Sequence, residues 1–144
     1  MLRTTLTEDS SCECESFRYS MTKLGVDIVI LDGSNHLLLI KRSDDGSWSM
    51  PGGWVERHET PDNAIRRELK EETGLSIERM TLEDVTVRRS GSVHITYFSR
   101  HVSGNIHNSS ESTDVRYVPF AEISPWHADH QARAQRVLEA HLDD

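Results

Sequence analysis

An α/β domain, with helices flanking a mixed β-sheet, is predicted by three features of the sequence. Short β-branched and leucine-rich runs recur along the chain, a helical segment with readable caps interrupts them, and an amphipathic segment closes it. No internal repeat is present, and the mixture of strands and helices in one chain suits an α/β or α+β domain.

The elements follow in order. Residues 1–22 are rich in Ser, Thr and Glu with few apolar anchors, which predicts a loose polar tail ahead of a domain over 23–144. GVDIVILD and HLLLIKR, separated by Gly33-Ser34-Asn35, read as a β-hairpin. SDDGS is a loop, and WSM leads into Pro51-Gly52-Gly53, where two glycines permit close approach of a ligand to the backbone. Thr60 is a suitable N-cap, Pro61 fits the first helical position, Asp62 favours the positive end of the helix dipole, and Gly74 is a C′ stop. Between these caps Ala64, Ile65 and Leu69 form an apolar stripe. LSIERMTLEDVTVRR and VHITYFSRHVSG are strands joined by a Ser-Gly turn, VRYVPF is a short strand, and DHQARAQRVLEAHL is the closing helix.

Composition limits the function classes. At 144 residues the chain suits one domain with a real core. No apolar run approaches membrane-spanning length and the N-terminal residues are polar and acidic, so a soluble, cytoplasmic protein without a membrane partner is expected. The net charge of −8 argues against nucleic acid as the main partner but suits a small phosphorylated ligand reached through a metal ion. Cys12 and Cys14 lack a second pair that would complete a zinc site, and they are read as free or incidental thiols. The eight histidines are scattered, none at a convincing ligand spacing from another.

The chemistry concentrates in the capped helix. Glu68, Glu71 and Glu72 stand at i, i+3 and i+4 and therefore share one face, with Glu59 just ahead of the helix. Such an oxygen-rich face suits a hard divalent cation, Mg²⁺ or Mn²⁺, rather than zinc. Arg67 and Glu71 are spaced for an i, i+4 contact. Spacing alone equally describes a solvated acidic face. The glycine pair, the capped helix, the acidic face and the glycine stop together tip the reading toward a site.

These residues resemble the signature of the Nudix hydrolases: Gly53, five residues, Glu59, seven residues, then Arg67-Glu68-Leu69-Lys70-Glu71-Glu72-Thr73-Gly74-Leu75. The likeness runs over about residues 23–142, including Met50-Pro51-Gly52 ahead of the box. It implies an α/β/α sandwich and Mg²⁺-dependent cleavage of a diphosphate linked to another moiety, with Mn²⁺ as a substitute ion. By the resemblance, Glu68, Glu71 and Glu72 are catalytic metal ligands, the Gly52 carbonyl adds a ligand, and Arg67 orients a helix glutamate. Gly53 and Glu59 fall on the substrate side. The family often supplies a further glutamate from the loop before its last strand; here that loop is HNSSESTD, with Glu111 favoured as ligand and Asp114 as a turn residue. Trp48, Tyr97, Phe98 and Trp126 are candidates either to stack on a base or to fill the core. A nucleoside di- or triphosphate is the preferred substrate. Nucleotide sugars, ADP-ribose and dinucleoside polyphosphates are the alternatives, with a non-catalytic nucleotide sensor behind them. A homodimer is compatible with the sequence.

Overall fold

A computed structural model describes residues 23–142; the expectations for residues 1–22, including Cys12 and Cys14, fall outside them. Strands β1 (Leu24–Ile30), β2 (Leu37–Arg42), β3 (Trp48–Ser49) and β4 (Gly52–Trp54) precede helix α1 (Pro61–Thr73). Strands β5 (Ser76–Val87), β6 (Val93–Ser103) and β7 (Ser112–Val118) and helix α2 (His130–His141) complete the order, with a short 3₁₀ turn at Phe120–Glu122. The mixed sheet runs β4-β1-β6-β5, with β1 and β6 parallel and both edge strands antiparallel to their neighbours. A second, antiparallel sheet runs β3-β2-β7.

One expectation is corrected. β1 and β2 do not form a hairpin; they lie in different sheets and meet only at the Leu31–Leu37 bridge. Both hydrogen-bonding edges of β1 are occupied, by β4 and by β6, so β2 pairs with β3 and β7 instead.

β1 is buried on both faces, which explains its nearly continuous apolar run. Val26, Ile28 and Ile30 point one way, into a cluster with Ala64, Ile65 and Leu69 of α1. Val29 and Leu31 belong to the opposite cluster, with Ala134, Val137 and Leu138 of α2 and with Trp48 and Met50. The period-2 alternation of a strand thus builds two cores, one beneath each helix. The α1 caps form as expected: Thr60 Oγ1 accepts the Asn63 N–H at 3.2 Å, and Gly74 stops the helix in the left-handed conformation at φ 84°.

Beneath α2 the core carries a charge. Arg133, 1% exposed, donates to Asp27 of β1 through Nη1, to Thr96 Oγ1 of β6 at 3.2 Å, and through Nε to Asp129 at 3.2 Å. Asp27 also accepts from Thr96 at 2.9 Å. A single guanidinium therefore ties α2 to the two central strands. Asp27→Ala removes its buried counter-charge and leaves only the partly exposed Asp129, and the expected loss is about 3–5 kcal/mol, read from the urea unfolding midpoint. Replacing the pair together, Asp27→Leu with Arg133→Met, is expected to restore most of that stability.

Candidate active site

The acidic face of α1 is laid against β4. Gly52 donates its backbone N–H to Glu72 Oε1 at 3.0 Å. A Cβ at Gly53 would stand 2.3 Å from Glu68 Oε2, and one at Gly52 would stand 2.2 Å from the Val26 carbonyl oxygen. Gly53 leaves the space that the Glu68 carboxylate occupies beside β4, while Gly52 lets β4 lie close against the Val26–Asp27 backbone of β1.

Arg67 organises these carboxylates. Its guanidinium donates to Glu59 at 2.7 and 2.9 Å, to Glu68 at 3.1 Å, to Glu71 at 3.3 Å and to the Trp54 carbonyl at 3.3 Å. Glu59 in turn accepts the Glu56 N–H at 3.0 Å. The Arg67 hydrogen bonds, with that N–H, hold the Glu59 carboxyl down to about 2. Glu59, expected on the substrate side, is instead the anchor of Arg67.

Glu68, Glu71, Glu72 and Glu111 line a single cavity of about 230 Å³ together with Ser109 and Ser110. Glu72 and Glu111 also line an adjoining cavity of about 330 Å³, whose walls include Arg42, Asp44 and Gly52. Burial, with Glu68 and Glu111 nearby, pushes the Glu72 carboxyl up to about 8 against the pull of the Gly52 N–H. Burial likewise raises Glu68. Among the described residues no three His, Cys, Asp or Glu side chains form a ready-made metal cluster, since Arg67 holds Glu68 and Gly52 holds Glu72. The donor set nevertheless fits a hard divalent cation: it is all oxygen, and its mutual repulsion is what a cation would relieve.

A third cleft, of about 260 Å³, shares Arg42 and Gly52 with its neighbour and is lined also by Gly53, Trp54, His94, His127 and His130. His94 lies far in sequence from His127 and His130, and the spacing arguments passed over all three. His127-x-x-His130 at the start of α2 was the available signal, and their rings meet at 5.2 Å. Arg42, at the end of β2, was missed for the same reason, because only the fold turns it toward the site.

The aromatic candidates are placed elsewhere. Trp48, 5% exposed, is packed in the α2-side core with Lys41 and Arg116 over its ring. Tyr97, 3% exposed, donates its hydroxyl to Asp62 at 2.6 Å. Phe98 is buried and stacked on His141, and it lines a hollow that none of the helix glutamates enters. Trp126 is half-buried against Phe120. Trp48, Tyr97 and Phe98 are core residues of their strands, and Trp126 packs against the edge of the α2-side core. Asp114, in β7, pairs with Arg116 at 3.0 Å and lines none of these three cavities.

The NUDIX domain model matches residues 21–140. A MutT-like protein of Streptomyces ambofaciens is 35% identical over 113 residues, covering 78% of this chain and 72% of that protein. The human 8-oxo-dGDP phosphatase NUDT18 is 38% identical over 87 residues, 58% of this chain and 27% of that protein. The crystal structure of a MutT Nudix hydrolase from Burkholderia pseudomallei superposes with a TM-score of 0.72 at 25% identity, covering 81% of this chain and 98% of that one. The chain belongs to the Nudix family and is a pyrophosphohydrolase of that class. Among the described residues no helix is long and apolar enough to cross a membrane.

The Glu72 environment has a measurable cost. Its folded value of about 8 lies above the ordinary 4.5, so the stability it contributes is present below 4.5 and is lost as pH rises through 8. The metal-free wild type is expected to lose several degrees of Tm between about pH 6 and about pH 9. Glu72→Gln, which can still accept the Gly52 N–H, is expected to flatten that decline in thermal melts with chelator present.

Proposed function

We propose that this chain hydrolyses the diphosphate linkage of a nucleoside diphosphate derivative, with nucleoside di- or triphosphates preferred, and that it requires a divalent cation. The observation that carries the proposal is the convergence of Glu68, Glu71, Glu72 and Glu111 on one cavity beside the Gly52 turn. Glu68, Glu71, Glu72, Glu111 and the Gly52 carbonyl would hold Mg²⁺, or Mn²⁺ in its place. Such an ion neutralises charge on the phosphoryl oxygens and supplies Lewis acidity for P–O–P cleavage.

The chain's own residues do the rest. Arg67, fixed by Glu59, keeps Glu68 and Glu71 aligned, so little reorganisation is left for the moment of reaction. Glu72 must surrender a proton at neutral pH before it can ligate, and the Gly52 N–H on Oε1 places that proton on Oε2. Arg42 is held by Asp44 through two hydrogen bonds, at 2.8 and 3.1 Å, on the wall shared by the second and third cavities. Its guanidinium, oriented by that pairing, would donate from its remaining N–H groups to the phosphate that leads away from the carboxylates. The preference for nucleoside phosphates is supported by the 8-oxo-dGDP phosphatase named among the relatives.

The test is turnover against nucleoside di- and triphosphates, nucleotide sugars, ADP-ribose and dinucleoside polyphosphates, with products separated chromatographically. Glu72→Gln is expected to lower kcat/KM by at least about a hundredfold with the circular dichroism spectrum unchanged, and a near wild-type rate would overturn the assignment. Over a Mg²⁺ titration, Glu111→Gln is expected to weaken the metal requirement or turnover by about ten- to a hundredfold, while Asp114→Asn leaves both unchanged.

A further inference from the structure

Away from the glutamates, β5 and β6 gather positive charge. β5 pairs Arg79 with His101 and Thr81 with Phe98, so two residues of β6, Ser99 and Arg100, stand opposite the single Met80. That bulge breaks the strict alternation of the strands and brings Arg79, Arg100 and His101 to one cavity. Arg66 of α1 lines it as well, its Nη1 donating to the Ile77 carbonyl at 3.2 Å. The cavity measures about 540 Å³, larger than the carboxylate cavity, its neighbour and the histidine cleft. It shares no lining residue with any of them.

These three arginines are uncompensated. Arg42, Arg67, Arg88, Arg116, Arg133 and Arg136 each pair with a carboxylate. Arg66, Arg79 and Arg100 have no carboxylate partner among the described residues. Arg79 Nη2 lies 3.2 Å from the His101 ring nitrogens, and Arg100 Nη1 donates to the Asp32 carbonyl at 3.4 Å. No residue that lines the cavity is acidic. Glu83, beside it, accepts from Thr81 at 2.8 Å and lies 3.1 Å from His141 Nε2. Gathering guanidiniums in this way costs Coulomb repulsion, in a chain whose net charge of −8 leaves many acids that could quench them. One side of the cavity is apolar, formed by Phe98 and Met80, with Arg100 5.8 Å over the Phe98 ring.

We infer that this cavity is a second anion site, one that takes a small molecule carrying two or more phosphate groups. Guanidiniums from α1, β5 and β6 offer forked N–H donors at more than one point, which adjacent phosphates use and a single phosphate does not. Phe98 and Met80 leave an apolar side for an organic group attached to those phosphates. An extended polyanion, a nucleic acid or an acidic peptide, would run from these arginines onto the acidic remainder of the surface and be repelled. The site stands apart from the proposed hydrolysis, because none of its residues lines a cavity that holds the helix glutamates.

Calorimetric titration of the metal-free protein with inorganic pyrophosphate and with inorganic phosphate, at about 0.15 M salt, reads the site without turnover. Pyrophosphate is expected to bind at least about tenfold more tightly than phosphate. Arg79→Gln and Arg100→Gln are each expected to weaken pyrophosphate binding about ten- to a hundredfold. Arg42→Gln, distant from this cavity, is expected to change it by less than about twofold. Amide NMR of the wild type needs no variant to fold: pyrophosphate is expected to shift Arg79–Thr81 and Phe98–His101 rather than Gly52 and Gly53. No binding of pyrophosphate, equal affinities for the two anions, shifts centred on Gly52 and Gly53, or a loss caused by Arg42→Gln alone would each overturn the inference. A hexaglutamate peptide or a single-stranded oligonucleotide that binds through Arg79 and Arg100 more tightly than pyrophosphate would overturn the small-molecule assignment.

Discussion

The site depends on one close approach, that of helix α1 to the glycine strand β4. Glu68 occupies the space that a side chain at Gly53 would fill, and Glu72 accepts the Gly52 N–H at 3.0 Å. The approach is held from both ends. Below, Ala64, Ile65 and Leu69 pack on β1; above, Arg67 bonds the Trp54 carbonyl on the same strand. A methyl group at Gly53 would displace the Glu68 carboxylate, and one at Gly52 would collide with the β1 backbone that β4 pairs with.

That geometry accepts an electrostatic cost. Four glutamates around one small cavity repel one another, and burial makes the charge on Glu72 harder still to sustain. Arg67 offsets part of this, and Glu59 keeps Arg67 in place by giving it a partner outside the cavity. The remaining negative potential is what gives a divalent cation something to bind. The chain retains a locally destabilising arrangement because chemistry, not stability, needs it.

The opposite face is built on different terms. Arg133 and Asp27 form a buried pair that holds α2 to β1 and β6. The carboxylate cavity adjoins the one that Glu72 and Glu111 share with Arg42 and Gly52, and Arg42 and Gly52 in turn line the histidine cleft.

Much of this was written locally. The caps at Thr60 and Gly74, the carboxylate face of α1 and the Arg67–Glu71 contact follow from helix geometry over a few residues, so the sequence by itself determined them. The strand positions of β1, β2, β5, β6 and β7 were equally plain from their apolar runs. Partnerships were not, because apolar periodicity says that a strand is buried and not by whom. The β1–β2 hairpin gave way once both edges of β1 were taken, and Trp48 and Tyr97 went to the core once both sheet faces needed filling. Glu59 became an anchor because the fold places it against Arg67 rather than toward the cavities. Only the tertiary structure decided that Arg42, His94, His127 and His130 meet in one cleft, and that Met50 fixes which nitrogen of His130 carries the hydrogen. Those contacts join residues up to 88 positions apart, Arg42 and His130, and no local rule acts over such a span.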